Sequence, residues 1–282
     1  MKKKLLTALA LLGVCALSAC GANEGGTATT EGTTATTAAE SDYDYITGNG
    51  KMVIGITIYE PMNYYDDKNE LTGFDTDFAK ELCSRLGVTP EFQVIDWDMK
   101  ETELKSKNID CIWNGLTVTE ERRANMDFTS TYLLNKQCVV INSANAATYT
   151  DKNSLASAML SAESGSAGES AIVDDDTLKS ASYTASNSQQ DALVALNAGN
   201  YDAIVIDYTM AKASVGSGDF AALQIVDGIE LANEEYAIGF RVGSDMTAKA
   251  NSVISEMIND GTLASIAEKY DMTDLYEQAV NK

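Results

Sequence analysis

Two periodicities of apolar residues alternate along most of this chain. "KMVIGITI" at 51–58 is β-branched and of strand length. "TDFAKELCSRLG" at 76–87 places Phe78, Leu82 and Leu86 on one helical face, with Gly87 as its stop. "EFQVI", "DCIWN" and "QCVVI" read as further strands; "SQQDALVALNAG", "TAKANSVISEMIND" and "GTLASIAEKY" read as helices, and "DDKNELTG" as a hairpin tip. Alternation of this kind from about residue 45 to the C-terminus predicts an α/β protein. Ahead of it, residues 21–44 are Thr, Ala, Gly and Glu with no core-forming residue before Tyr43, which predicts a flexible tether.

One unit of the pattern recurs. "LKSKNIDCIWN" from Leu104 and "LNAGNYDAIVI" from Leu196 share L-x-x-x-N-x-D-x-I at an offset of 92 residues. Each copy follows a helical segment and runs into an apolar strand, so the same αβ unit is expected in each of two lobes. Asn108, Asp110, Asn200 and Asp202 read as turn formers between helix and strand. Open α/β sheets bind ligands beyond the carboxyl ends of their strands. Those ends are Asn114-Gly115-Leu116-Thr117 in the first copy and Ile206-Asp207-Tyr208 in the second.

Composition narrows the chemistry. The 282 residues suffice for two compact lobes, carry a net charge of −22 and include no histidine. "MKKKLLTALALLGVCALSAC" has a basic start, a short apolar run and small residues before Cys20, too short and too N-terminal for a membrane span. Leu17-Ser18-Ala19-Cys20 resembles a bacterial lipobox, implying cleavage after residue 19 and a lipid on the Cys20 thiol. Removing Lys2, Lys3 and Lys4 takes the charge from −22 to −25. Such a surface repels nucleic acid and anionic headgroups, so membrane attachment is expected through the lipid and no nucleic-acid partner is expected. Cys83, Cys111 and Cys138 lie inside apolar patterns and read as buried small hydrophobes. With no histidine and no metal-ligand spacing, neither a metal nor a cofactor is expected. "GNGK" at 48–51 lacks the flanking glycine and Ser/Thr of a phosphate loop, and Asp174-Asp175-Asp176 lacks calcium-loop spacing.

"CIWNGLTVTEERR" carries the sharpest candidate. With Thr119 as N-cap, Glu120, Glu121 and Arg122 fill a first helical turn, where a cation is disfavoured by the macrodipole. Arg123 has Glu120 three residues back and Asp127 four residues on; Arg122 has no carboxylate at those spacings. Its side chain leans back toward the strand end, where an unpaired guanidinium is a fork for an external carboxylate. Asp207, at the other strand end, suits a cation. A distant ion pair for Arg122 and an N-cap role for Asp207 are the plain structural alternatives. An anion site facing a cation site describes an α-amino acid.

Together with the lipobox and tether, "YEPMNYYDDKNELTGFDTDFAKELCSRLGV", "IDWD", "NIDCIWNGLTVTEERRANMDFTSTY" and "NYDAIVID" resemble the solute-binding lipoproteins of polar amino acid ABC importers, over about residues 45–275. The resemblance implies a two-lobed type II periplasmic-binding fold closing on its ligand, with lobe 1 at 45–134 plus 233–282 and lobe 2 at 135–232. It implies an L-amino acid ligand, ABC permease and ATPase partners, and a lipid-anchored place on the extracytoplasmic face of the cell membrane. The family's arginine after G-L-T-x-T-x-E falls on Arg122, expected to clamp the α-carboxylate. Gly115 and Thr117 fall where main chain and hydroxyl meet the amino acid head, with Asn114 beside them. "ESGSAGESA" resembles the second-lobe loop that binds the same carboxylate, pointing to Ser166 and Ala167. Asp207 matches the acceptor of the α-ammonium; Tyr59 and Trp97 match side-chain walls, with core or cleft-edge packing as their alternative. Met62 stands where the family has an aromatic, and "SLASAMLSAES" is richer in Ala and Ser than its counterpart strand.

The expected protein is therefore a binding subunit and not an enzyme. A dehydratase-like enzyme on the same fold, with Glu60 or Glu163 as general acid, and an amino-acid-sensing module are the alternatives. No extension of transglycosylase length follows residue 282, so a cell-wall-cleaving fusion is not expected. Arg85 and Arg241 lie outside the predicted cleft segments. Aspartate and glutamate are disfavoured on that ground and a neutral polar side chain is preferred, with cystine, or a basic amino acid held through Glu60, left open.

Overall fold

The computed structural model describes residues 41–229 and 231–281. The signal segment, Cys20 and nearly all of the tether lie outside the described residues.

Two mixed sheets organise the chain into two lobes. In the first, the strand order is Thr89–Val94, Lys51–Ile56, Cys111–Ile112, Gly239–Arg241, Met126–Phe128. The first three run parallel, and Gly239–Arg241 is antiparallel to both of its neighbours. The second sheet is ordered Leu223–Ile225, Leu133–Asn142, Ala203–Asp207, Met159–Glu163, Ser182–Ser186, with Asn233–Tyr236 paired to the first half of Leu133–Asn142. The chain passes from Met126–Phe128 into Leu133–Asn142 and returns from Asn233–Tyr236 into Gly239–Arg241. The two crossings are bonded to each other, Thr129 N to Ile238 O and Tyr132 N to Tyr236 O, both at 3.0 Å.

The repeated motif has a structural cause. Asp110 and Asp202 do more than turn the chain: each carboxylate accepts the N–H of a residue in the neighbouring parallel strand, Val53 and Met159 respectively, at 2.8 Å. The backbone N–H groups of the same two aspartates donate back to the carbonyls of those residues. Both copies thus use one device to set strand register, once in each sheet. Each then continues into a strand whose carboxyl end faces the space between the lobes.

Helices form where their periodicity predicts them. Phe74–Leu86 ends on left-handed Gly87, and Gln189–Asn197 starts at the Ser188 cap. Phe78 packs edge-on to Trp113 at 4.8 Å, and with Phe74 and Tyr132 forms an aromatic cluster under the first strand ends. Cys83, Cys111 and Cys138 are buried and unbridged, and burial pushes the Cys83 thiol up to about 12. Among the described residues no helix is long and apolar enough to cross a membrane.

Two expected boundaries move. Residues 42–44, assigned by composition to the tether, open a helix, Asp42–Asn49, capped by Ser41. Asp42 pairs with Arg241 at 2.9 Å and Ile46 is buried, long-range ties that composition cannot show. The lobe limit expected at 134/135 falls inside the strand Leu133–Asn142, whereas the one at 232/233 coincides with the start of Asn233–Tyr236, which forms an antiparallel ladder with Leu133–Lys136.

Candidate functional site

Sheet register assembles the site before any loop contributes. Asn135 and Gln137, two apart on Leu133–Asn142, share a face. Gln137 stands opposite Asp207 on one neighbouring strand, and Asn135 opposite Glu234 on the other. Four polar side chains therefore meet on one patch of an otherwise apolar sheet. Asp207 Oδ1 accepts from Asn135 and Gln137 at 2.7 Å, and Oδ2 accepts from Gln189, whose own Oε1 takes the Asp207 N–H. Glu234 accepts from Asn135, Gln137 and Thr117. Asp207 occupies the N-cap position of Tyr208–Ser214 without a capping bond from its side chain, so the capping role fails. Desolvation raises both carboxyls, Glu234 to about 7.

Arg122 faces this patch from the other lobe. Thr119 caps Glu120–Arg123 by accepting the Arg122 N–H, and the side chain turns back on the strand end. Its Nη1 donates to Thr117 O at 2.8 Å and its Nη2 to Gly165 O of the second lobe at 3.1 Å. No carboxylate pairs with it at ion-pair distance among the described residues, whereas Arg123 lies 3.8 Å from Glu120. Burial lowers the Arg122 guanidinium, and Glu234 and Asp207 oppose that shift.

Trp97, Asn114, Gly115, Thr117, Arg122, Ser166, Ala167 and Asp207 line one cavity with Glu163 and Gln189. Eight of the nine residues expected from sequence thus come together. The cavity is only about 10 Å³, room for about one water. A ligand of amino acid size enters only if the lobes part, breaking the bonds from Arg122 Nη2 and Lys100 Nζ to Gly165 O. A wider cleft bordered by Lys100, Glu101, Arg122, Gly165 and Glu234 leads to it.

The individual roles differ from expectation at several places. Tyr59 does not line the cavity. Its ring lies behind Gly115, and its hydroxyl is bonded to Thr209 and, at 3.0 Å, to Tyr236. The Asn114 amide is fully used inside its lobe, accepting from Thr57 N and Oγ1 and donating to Thr57 O and Asn63 Oδ1. It holds the loop and has no hydrogen bond left for a ligand. The Gly115 N–H is likewise committed, at 2.7 Å, to buried Asp75, leaving its carbonyl for contact. Ser166 Oγ caps Ala167–Val173 through the Glu169 N–H. Glu60 is exposed and lies outside the lining of the closed cavity.

Gly115 is required by backbone and space together. Its φ is +57°, and a Cβ there would stand 2.8 Å from the Tyr59 ring and about 3.1 Å from Tyr236. Gly115→Ala is expected to lower stability by about 1–3 kcal/mol and to weaken ligand binding, because the loop must shift. Denaturant unfolding and a ligand titration check both effects; an unchanged titration would mean that the loop conformation does not matter to the site.

Sequence reasoning missed Glu234, Asn135, Gln137, Gln189, Asp75 and Lys100. The signal available was "NKQCVVI", where two amides two apart interrupt a strand and mark one face as polar. Lys100 carries no such signal in the sequence, because a lysine in "DWDMKETELK" reads as an ordinary helix-face charge. It is buried beside Trp97, its Nζ 5.0 Å from the ring, and donates to Trp97 O and Gly165 O. Desolvation and Arg122 push it down to about 8. Two buried cations, Arg122 and Lys100, thus stand at the cleft, which removes the reason for disfavouring acidic ligands.

Two α/β lobes with a polar cavity enclosed at their strand ends define a solute-binding architecture. The model of the bacterial extracellular solute-binding proteins, family 3, matches residues 52–273, and the chain belongs to that family. It is 28% identical over 240 residues to the L-cystine-binding protein TcyJ of Escherichia coli K12, covering 80% of this chain and 84% of that one. It is 27% identical over 271 residues to the arginine-binding extracellular protein ArtP of Bacillus subtilis, covering 96% and 98%. The crystal structure of Tv2483 bound to L-arginine matches with a TM-score of 0.77 at 29% identity, over 83% of this chain and 96% of that one.

Proposed function

We propose that the protein is the capture subunit of an ABC importer. In this reading it is lipid-anchored through Cys20 on the extracytoplasmic face of the membrane, takes up an L-α-amino acid and presents it to a permease with its ATPase. The opposition of Arg122 and Asp207 across one enclosed cavity carries the reading. Family membership and the names of the relatives, which are binding proteins, support it and favour no enzymatic role.

The steps follow from the bonds. In the open form Arg122 keeps its bond to Thr117 O, which fixes the plane of the guanidinium, and offers its remaining N–H groups to the α-carboxylate. The Gly115 carbonyl and the Thr117 hydroxyl meet the amino acid head. Closure brings Asp207 to the α-ammonium, whose charge keeps that carboxylate ionised despite burial. Ser166 and Ala167 close on the carboxylate side. Contacts made only when the lobes meet shift the population to the closed form that the permease is proposed to recognise.

Thermal unfolding of the soluble form against the twenty amino acids and cystine tests this. A ligand at about a hundred times its Kd adds roughly 2.7 kcal/mol, a plain rise in midpoint. A flat panel would overturn the reading. One observation favours a second reading. Glu163 is a buried carboxyl at the cavity, pushed up to about 8 chiefly by desolvation, and a protonated acid is what a dehydratase-like enzyme needs. Turnover of a ligand that shifts the midpoint would establish that alternative.

A further inference from the structure

Three hydroxyls meet in the sealed space behind Gly115. Tyr59 follows the first-sheet strand Lys51–Ile56, Tyr236 ends the returning crossing Asn233–Tyr236, and Thr209 lies in Tyr208–Ser214, two residues after Asp207. All three side chains are buried, and none of them lines the ligand cavity. The Tyr59 hydroxyl bonds Thr209 Oγ1 and, at 3.0 Å, the Tyr236 hydroxyl; Thr209 Oγ1 lies 3.5 Å from Tyr236. The Tyr236 hydroxyl in turn supports the ionised form of Asp207.

The cluster joins the two lobes. Tyr236 is bridged to Thr117 of the first lobe, and its ring stands with that of Tyr59 against Gly115. Asp207 and Thr209 belong to a strand of the second sheet and to the helix that it feeds. Two tyrosines on one side thus clasp two residues of the other.

We propose that Tyr59 is a positioning residue that couples an ammonium group held at Asp207 to the pairing of the lobes, acting through Tyr236 and Thr209 without touching the ligand. This inference rests on the amino acid reading above and gives Tyr59 a task other than that of a side-chain wall.

The direction of the hydrogen bonds supplies the coupling. Each hydroxyl has one proton to donate, whereas an ionised carboxylate only accepts. An ionised Asp207 therefore takes the Tyr236 proton. The Tyr236 oxygen then accepts from Tyr59, and the Tyr59 oxygen accepts from Thr209. A chain ordered in one direction is polarised along its length, which strengthens each bond in it. Burial by itself favours the neutral Asp207 carboxyl, whose proton leaves the direction unfixed. A cationic amine beside Asp207 holds it ionised, orders the chain and tightens the contact between Thr209 and Tyr59. Parting the lobes breaks that contact and returns the hydroxyls to water.

Stopped-flow kinetics of the soluble form, Tyr59→Phe, Thr209→Val and the double variant test the proposal. The probes are the twenty amino acids and cystine, with rates taken for every one that raises the unfolding midpoint. Both substitutions keep the shape of the side chain, so a Phe ring still backs Gly115. Tyr59→Phe is expected to speed dissociation about 5- to 150-fold, the range for leaving buried hydrogen-bonding groups unpaired. Association is expected to stay within about threefold, because the contact forms only as the lobes close. The factor is expected to be the same for all probes within about threefold, since Tyr59 is outside the cavity lining. Thr209→Val is expected to act alike, and the double variant to add little to either single one. A factor that differs more than about tenfold between probes would make Tyr59 a side-chain wall and overturn the proposal. Additive effects in the double variant would overturn it too, as would unchanged dissociation beside a lowered or unaltered ligand-free midpoint. Each of these results leaves the amino acid reading intact. Binding of none of the probes would remove that reading and this inference with it.

Discussion

Arg122→Ala is expected to weaken ligand binding roughly 30- to 5,000-fold, the equivalent of about 2–5 kcal/mol for truncating one partner of a buried charge pair. The loss should fall on every amino acid alike, because the guanidinium is proposed to hold the α-carboxylate common to all of them. The fold is expected to survive. Arg122 packs no apolar layer, and its two bonds go to the carbonyls of Thr117 and Gly165, which reach water once the cleft opens. Its burial carries a desolvation cost that the substitution removes. Titration of the ligand identified in the thermal panel, beside ligand-free unfolding of both proteins, separates loss of binding from loss of fold. Retained affinity would remove Arg122 from the site.

Ligand-free stability is expected to fall as pH rises from about 4 to about 8. Burial pushes Asp75 up to about 7, outweighing the bonds it accepts from the Gly115 N–H and the Tyr132 hydroxyl. Glu234 lies at about 7 and Glu163 at about 8, and Asp207 is also raised. In the unfolded chain these groups lose their protons near pH 4, so within that window the native state holds more protons than the unfolded state. Stability then declines with pH by up to about 1.4 kcal/mol per pH unit for each such group. Lys100, pushed down to about 8, acts in the opposite direction above that pH. There the native state has released a proton that the unfolded state keeps, and stability recovers toward the ordinary lysine range. Asp175, drawn down to about 2 by Lys152, loses its contribution only as pH falls below about 4. Unfolding midpoints between pH 4.5 and 8, with and without Asp75→Asn, measure the effect. A midpoint that is flat or rising over that range would contradict the buried-carboxyl picture.

The fold was largely legible because its signals are local. Phe78, Leu82 and Leu86 mark their helix through spacing alone, and Gly87 marks its end through backbone freedom. The repeat at Leu104 and Leu196 was visible as a pattern, but its cause was not. That Asp110 and Asp202 each bond the N–H of a residue in the next parallel strand depends on a partner tens of residues away. The hydrogen bonds of Asn114 and the Tyr59 hydroxyl are spent within the protein, which a residue type and its place in the sequence do not show.

The sequence by itself determined the α/β alternation, the two apolar strands with their ends, and an Arg122 that has no carboxylate in helical reach, since each is a matter of short-range spacing; that Asp207 stands across one cavity from Arg122 is tertiary. Only the tertiary structure decided that Asn135, Gln137 and Glu234 join Asp207 through sheet register. It alone brought Lys100 against Gly165 of the other lobe, and it alone left Glu163 buried without a partner. Burial and pairing belong to the packed arrangement of distant segments, and they set the charge of the cavity, whereas the order of residues along the chain carries no measure of either.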